Sequence, residues 1–560
     1  MFKRWREATR KRIKRIKRTL RKWMFYTKAT FLILFIIAVV LLLTWVLTIV
    51  YSAMPHTSQA ATPVQKSEAS ADSDHNNPST APLPLTAVNN KQVSPSQPEA
   101  ESTKQGNVRE FTITAYPKTV QIDDQLTFKG WTYNGVFPGP VIRVKEGEQV
   151  RVKFRNQIPD LETTIHFHGI PKPNRMDGVP YITQSPVKYG GQYTYEFTAE
   201  PAGMYIYHAH GGSLQANKGM IGPMIIEPNG PTTYPDTDTE WIVGLDESKI
   251  PGEGNPPPAT DGNRMDQSMM QQMMPNALLG TADLYNVFTI NGKRDPKHVF
   301  KAKTHEWVRL RLFNYGFQTH RIKVEGMKMY VTHDNAPLPA AQPVEYVEIS
   351  PYERIGVYLI GNKPGKYKML DTDPGHSELG MRANVVLTPS DDDNPPKHLK
   401  IADPPDNAPK YQGITAGIPG PDTTDYDRVY NMNLGMTMSS NGMNWGINGV
   451  SWNNLQNFKD ITPYKLREGE MIKINLFNRS PESHPMHLHG HHFRIVSING
   501  QTLAEPWLSK DVINVKPMQR FSIAFKADNP GNWLFHCHQE HHADSGLMTY
   551  FSYVESDTSE

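Results

Sequence analysis

The sequence predicts an all-β protein of three consecutive Greek-key β-barrel units, each of roughly 160 residues, preceded by one transmembrane helix. Two motif families that recur in step, a composition that favours short strands, and one long uncharged apolar segment carry that prediction. "VRVKFRN" (Val150 to Asn156), "VRLRLFN" (Val308 to Asn314) and "IKINLFN" (Ile472 to Asn478) alternate apolar with polar residues and start 158 and then 164 residues apart (150, 308, 472). "PAGMYIYHAH" (Pro201 to His210), "KPGKYKMLDT" (Lys363 to Thr372) and "NPGNWLFHCH" (Asn529 to His538) recur at the same interval, which indicates triplication of one unit. With 40 glycines, 46 prolines and few long helical periodicities, each unit reads as an antiparallel β-sandwich or Greek-key barrel.

Taken in order, residues 1–28 form a basic segment with 13 Lys or Arg against one acid. The remaining chain then holds 46 basic (59 − 13) and 55 acidic (56 − 1) residues, a net charge of −9. Residues 29–53 contain Phe31 to Tyr51, 21 residues without a charge, about what a helix needs to cross the hydrocarbon core. A cleaved signal peptide would have a shorter apolar region and a clear small-residue site, so an uncleaved anchor is expected. The basic run places the N-terminus in the cytoplasm and everything after the span outside it, in a single-pass cell-membrane topology. Because the run abuts a span and lacks a folded platform, it is not read as a nucleic-acid patch, and no nucleic-acid partner is expected.

Residues 54–107 are rich in Ser, Pro, Ala, Gln and Asn and cannot bury enough apolar surface to offset the entropy of ordering, so a disordered tether is expected there. The three units follow at 108–228, 229–398 and 399–560. The Asp- and Pro-rich stretch "PSDDDNPPKHLKIADPPDNAP" leads into the third.

The chain has a single cysteine, Cys537, set between two histidines in "HCHQEHHADSGLM". One cysteine excludes an internal disulfide and every multi-cysteine metal framework, leaving a reactive nucleophile or a soft metal ligand. Strand parity decides how the cluster is used, because residues two apart share a face and neighbours do not. His536 and His538 therefore point one way and Cys537 the other. In "HPMHLHG", His487 and His489 share a face while His484 takes the opposite one; "HFHG" pairs His166 with His168, and "HAH" pairs His208 with His210. Eight histidines in four pairs can thus converge on one site, and Cys537, His484 and His542 remain for a second, a His₂Cys set of blue-copper type. A thiol enzyme would need only one activating histidine and an oxyanion hole, and leaves the other histidines without a role. The middle unit has Leu370, Asp371 and Thr372 where the third has His536, Cys537 and His538, so no equivalent metal site is expected in it.

Those four segments, "HFHG", "HAH", "HPMHLH" and "HCHQEHHADSGLM", resemble the copper-binding segments of the multicopper oxidases, the family that includes laccases and bacterial cuprous oxidases; the match covers about residues 108–560. The resemblance implies three cupredoxin domains, without a type 1 copper in the middle one, and four copper ions: one type 1, one type 2 and two type 3. It implies single-electron oxidation of a substrate at the type 1 copper and four-electron reduction of O₂ to water at the other three. By motif position Cys537, His484 and His542 would hold the type 1 copper, His166 and His487 the type 2, and His168, His208, His210, His489, His536 and His538 the type 3 pair. Asp177 in "NRMDGVP" matches the family's acid near the cluster. Many bacterial members carry a carboxylate directly after the residue matching His542, whereas this chain has Ala543 and then Asp544, so Asp544 is the candidate second proton carrier. The weak axial position, ten residues after the cysteine, falls on Leu547 and not on Met548.

The reducing substrate is read as either Cu(I) or another metal ion, or a small phenol. "MDQSMMQQMM" sets Met265, Met269, Met270, Met273 and Met274 at helical spacing, and thioethers suit Cu(I); Met432, Met436, Met438 and Met443 form a second group. Packing by these adaptable side chains is the competing reading. Against the cuprous reading, the Asp and Met that precede the matching histidine in some cuprous oxidases are Ser480 and Glu482 here. A copper-binding or electron-transfer protein without turnover is the non-enzymatic alternative, but it would need an incomplete ligand set, and all eleven expected residues are present.

Overall fold

The structure is a computed structural model that describes residues 92–93, 97–237, 239–250, 253, 285–294, 299–332, 338–390, 398–403, 407–439 and 442–554. The basic segment 1–28, the expected membrane span 29–53 and Met265, Met269, Met270, Met273 and Met274 lie outside these residues. Among the described residues no helix is long and apolar enough to cross a membrane.

The described chain is nearly all-β, with three sandwiches in sequence, each made of two sheets. In the first, a five-stranded sheet that includes Val108–Gln121, Gln149–Asn156 and Gln192–Thr198 faces a four-stranded sheet ordered Ile142–Lys145, Ile221–Glu227, Gly203–Ala209, Ile165–His168. Phe111, Ile113, Val152, Phe154, Phe167, Tyr195 and Tyr207 fill the space between them. The second pairs a seven-stranded sheet that includes Val308–Asn314 and Arg354–Gly361 with a five-stranded sheet containing His320–Val324 and Gly365–Asp371. The third pairs an eight-stranded sheet that includes Met471–Asn478 with the five-stranded sheet Tyr464–Leu466, Met548–Tyr553, Asn532–Cys537, His484–Leu488, Val512–Val515.

The repeated motifs owe their recurrence to two hydrogen-bonding devices. Asn156, Asn314 and Asn478 are each fully buried, and each amide donates to two backbone carbonyls: Leu161 and Val187, Gln318 and Ile349, Glu482 and Val515. A buried amide that satisfies buried carbonyls fixes the loop ahead of the next strand in each unit. In the second motif an aromatic side chain closes the corner by donating to the carbonyl four residues back: Tyr205 to Pro201, Tyr367 to Lys363 and Trp533 to Asn529.

One expectation needs correction. The tether was expected to run unstructured to residue 107, yet Ser102–Gln105 is a strand paired antiparallel with Val108–Gln121, and Gln92–Val93 pairs with Thr239–Ser248. Ser102–Gln105 is exposed at every position, so its order comes from the backbone ladder and the two-residue turn at Gly106 and Asn107, where Gly106 has φ +60°. A composition argument weighs apolar burial and is blind to that contribution.

Candidate metal centres

Ile165–His168 lies antiparallel to Gly203–Ala209 with His166 opposite His208, and His484–Leu488 lies antiparallel to Asn532–Cys537 with His487 opposite His536. Phe167, Ala209, Leu488 and Cys537, the residues between the paired histidines, all lie in the hydrophobic cores. That alternation turns the eight histidines to the other face, where the first and third units meet. There His168 stacks on His487 with ring centroids 3.7 Å apart, and His166 lies 4.1 Å from His489. His168 Nε2 is 3.0 Å from His538 Nε2, and His489 Nε2 is 3.1 Å from His536 Nε2.

Seven of the eight rings are aimed by their other nitrogen. Nδ1 of His166 faces the Asp177 carbonyl at 2.6 Å, Nδ1 of His208 the Ala209 carbonyl at 3.0 Å, Nδ1 of His487 the Asp511 carbonyl at 2.8 Å and Nδ1 of His536 the Cys537 carbonyl at 3.1 Å. Carboxylates hold three more: Asp511 with His168 at 3.0 Å, Asp177 with His489 at 2.8 Å and Glu540 with His538 at 3.1 Å. This leaves the Nε2 atoms of His166, His208, His210 and His487 buried without a hydrogen-bond partner. Burial also holds every ring neutral, with His166 lowered to about 3 and His210 to about 4. Neutral imidazoles with one nitrogen tied back and the other bare are prepared metal ligands.

The second site lies behind this cluster. Cys537 Sγ is 3.8 Å from His484 Nδ1 and 3.7 Å from His542 Nδ1, and the two nitrogens are 3.1 Å apart. Ser480 Oγ meets His484 Nε2 at 2.7 Å, which turns Nδ1 towards the sulfur. Trp445 covers both imidazoles, its ring centroid 4.9 Å from that of His484 and 4.3 Å from that of His542. Leu547 is fully buried and shares the core cluster of Cys537, whereas Met548 packs with Val179, Leu534 and Tyr550 in a different one. A buried thiol with two neutral imidazoles fits a type 1 copper, and the bare Nε2 atoms fit the other three ions.

Asp177 is fully buried and not a solvated turn residue. It joins His166, His489 and Lys172, whose Nζ is 3.0 Å away. Burial opposes its charge, but Lys172 and the two imidazoles hold its carboxyl well below the usual range. Asp544 is exposed, at a cavity of about 340 Å³ that reaches His208, His210 and His536 and is also lined by Glu540. Of the second methionine group, Met432 is buried in the core, Met436 packs against it, and Met438 is 76% exposed; the Met443 side chain lies outside the described residues.

Sequence reasoning missed three residues here. Glu540 lies beside His538, and burial, reinforced by Asp544, raises its carboxyl well above the ordinary value. Asp511 holds His168 and receives both guanidinium nitrogens of Arg354, at 3.1 and 3.0 Å. Arg354 belongs to the middle unit, so that unit braces the cluster. A charge at the head of an otherwise apolar strand, as in "RIGVYLIG" and "DVINV", was the available signal. In the middle unit, where no equivalent metal site was expected, His320, Asp371 and His376 converge. The middle unit lacks the histidine pair that flanks Cys537 but keeps the five-residue offset from Cys537 to His542 in Asp371 and His376.

Three sandwiches with a His₂Cys site in the last and an eight-histidine cluster between first and last define a copper-dependent oxidoreductase of cupredoxin fold. The comparisons specify the family. Family models described as multicopper oxidase match residues 114–231 and 427–557. A multicopper oxidase of Mycobacterium tuberculosis, MmcO, is 30% identical over 480 residues, covering 81% of this chain and 89% of its own. A copper resistance protein A homolog of Pseudomonas syringae pv. tomato is 24% identical, with 78% and 91% covered. In fold, the multicopper oxidase of Campylobacter jejuni superposes with a TM-score of 0.63 at 21% identity, covering 83% of this chain and 96% of that one. This chain belongs to the multicopper oxidase family.

Proposed function

We propose that this multicopper oxidase takes its electrons from Cu(I), outside a membrane to which residues 29–53 anchor it. Bound copper would supply one-electron oxidation of the substrate at the type 1 site and four-electron reduction of O₂ to water at one type 2 and two type 3 ions. The protein's part is to hold, insulate and supply protons. Cys537 with His484 and His542 would hold the first ion, and the peptide bonds from Cys537 to His536 and His538 would join it to the cluster. Asp177 and Asp511 fix the cluster rings. Glu540, its proton held by burial, and Asp544 at the cavity carry protons inward.

The observation that carries the substrate is the burial of His484 and His542 beneath Trp445. A phenol ring has no exposed imidazole edge to rest on, whereas the exposed Met438 lies on the strand whose Met436 is opposite Trp445. Met265, Met269, Met270, Met273, Met274 and the exposed Met438 are soft ligands suited to Cu(I), and one relative is named for copper resistance. The test compares O₂ uptake with Cu(I) and with a dimethoxyphenol after changing Met265, Met269, Met270, Met273 and Met274 to leucine. Cu(I) turnover should fall while phenol turnover holds or rises; unchanged Cu(I) turnover with efficient phenol oxidation would favour a laccase reading. Release of the full chain from cell membranes by detergent, and not by salt, tests the anchor.

A further inference from the structure

The middle unit retains the framework of the type 1 site with a carboxylate in place of the thiolate. Its His320 follows the buried Asn314 by six residues, as His484 follows Asn478, and Asp371 precedes His376 by five residues, as Cys537 precedes His542. In strand register Asp371 lies opposite Ile322 and Cys537 opposite Met486, two residues beyond the histidine in both units. The backbone agrees as well. Asp371 N–H donates to the Met381 carbonyl at 3.0 Å, and Cys537 N–H donates to that of Leu547 at 3.1 Å; Met381 N–H donates to His376 at 3.0 Å and Leu547 N–H to His542 at 2.9 Å.

We propose that His320, Asp371 and His376 form a fifth metal site, for a borderline divalent cation of the Zn(II) or Cu(II) class, at the middle unit's counterpart of the type 1 position. Asp371 Oδ2 lies 2.8 Å from His320 Nδ1 and 2.9 Å from His376 Nδ1, so the ring nitrogens are the same ones that face Cys537 in the third unit. Asp371 Oδ1 is already occupied by the N–H groups of Arg321 and Asp373, at 3.3 and 3.0 Å, which leaves Oδ2 for an ion. His320 Nε2 meets Glu247 Oε2 at 3.2 Å, the outer carboxylate that commonly orients a ligating histidine. Glu247 Oε1 is held by Phe317 N–H, and His376 stacks on Phe288 with centroids 4.5 Å apart, so both partners are fixed.

Glu247 and Asp371 are both almost completely buried, with Asp246 buried alongside. Buried carboxylates persist when paired or when they coordinate a cation. Two imidazoles and a carboxylate select zinc or copper over magnesium or calcium, which prefer all-oxygen shells. Without a thiolate, copper held here contributes no intense blue band, so the site is silent in the colour of the oxidase.

The probe is Zn(II), added to copper-loaded protein and followed by gel filtration and metal analysis, with copper content and blue absorbance recorded to show that no copper is displaced. Wild type should retain one zinc per chain, and His376→Ala, a truncation at the partly exposed ligand, should retain none. A second experiment places Asp371→Cys in a Cys537→Ser background, checks folding by circular dichroism and loads Cu(II). An intense blue band should appear in a protein without oxidase activity. Equal zinc in wild type and His376→Ala, no zinc in wild type, or a folded double variant that stays colourless overturns the proposal and leaves the cluster a buried ion pair.

Discussion

The backbone N–H of Cys537 donates to the carbonyl of Leu547 at 3.1 Å, which fixes the loop between them in one register. Leu547 thereby enters the core around the thiol, and Met548 turns into a separate cluster with Leu534 and Tyr550.

That register predicts the reduction potential of the blue site. A leucine at the axial position cannot ligate, so Leu547→Met should lower the potential by about 59 mV or more, one decade in a one-electron equilibrium. Met548→Leu should leave it nearly unchanged. Redox titration of the blue band ranks the two, and a larger effect at Met548 would refute the register.

The two centres should separate under mutation. Cys537→Ser is expected to remove colour and oxidase activity together. His487→Ala combined with His489→Ala should keep most of the colour and abolish O₂ uptake, because Leu488 alone of that triplet enters the core near Cys537. Bleaching by the double change would contradict the strand parity.

Glu540 predicts a pH profile. Its carboxyl is raised by burial, so its proton is present through the ordinary carboxylate range and is lost only as the pH rises through the elevated value. Glu540→Gln should lower the rate of O₂ reduction roughly 10²–10⁴-fold, as expected for loss of a general acid, and remove that alkaline limb. The blue absorbance should be intact. An unaltered pH profile in the variant would exclude the role.

Asp511 predicts a coupling of stability to copper retention. Asp511→Asn removes the buried Asp511–Arg354 ion pair, at a cost of about 3–5 kcal/mol in a denaturation experiment. It also frees His168, so copper affinity at the cluster should weaken roughly 10–100-fold. Burial opposes the Asp511 charge, but Arg354 and the nearby histidines keep its carboxyl below the usual value. The stability it contributes is therefore present above about pH 4 and lost as the pH falls through the lower folded value. A variant as stable as wild type at neutral pH would show that the pair carries no net energy.

Much of the site was legible in one dimension because strand parity is a local rule. His-x-His on a strand must present both rings on one face, so the division into a cysteine-containing site and an eight-histidine cluster follows from four short segments. Triplication was legible for a similar reason, since Asn156, Asn314 and Asn478 each perform the same task inside their own unit. Asp511, Arg354 and Glu540 were not legible. Each acts on a histidine through a contact that depends on how units or loops pack, and a lone charge in an apolar strand does not name its partner.

The sequence by itself determined the three-unit β architecture and the division of the eleven candidate ligands into two groups, because local periodicity and fixed motif spacing encode them, and the four histidine motifs carried the resemblance to the family. Tertiary structure alone decided which groups aim those residues, that Leu547 and Met548 pack into different core clusters, that Asp177 is a buried ion-paired anchor, and that His320, Asp371 and His376 meet in the middle unit. Those outcomes depend on burial and on contacts between residues distant in the chain, where desolvation and pairing set the charge and direction of each side chain.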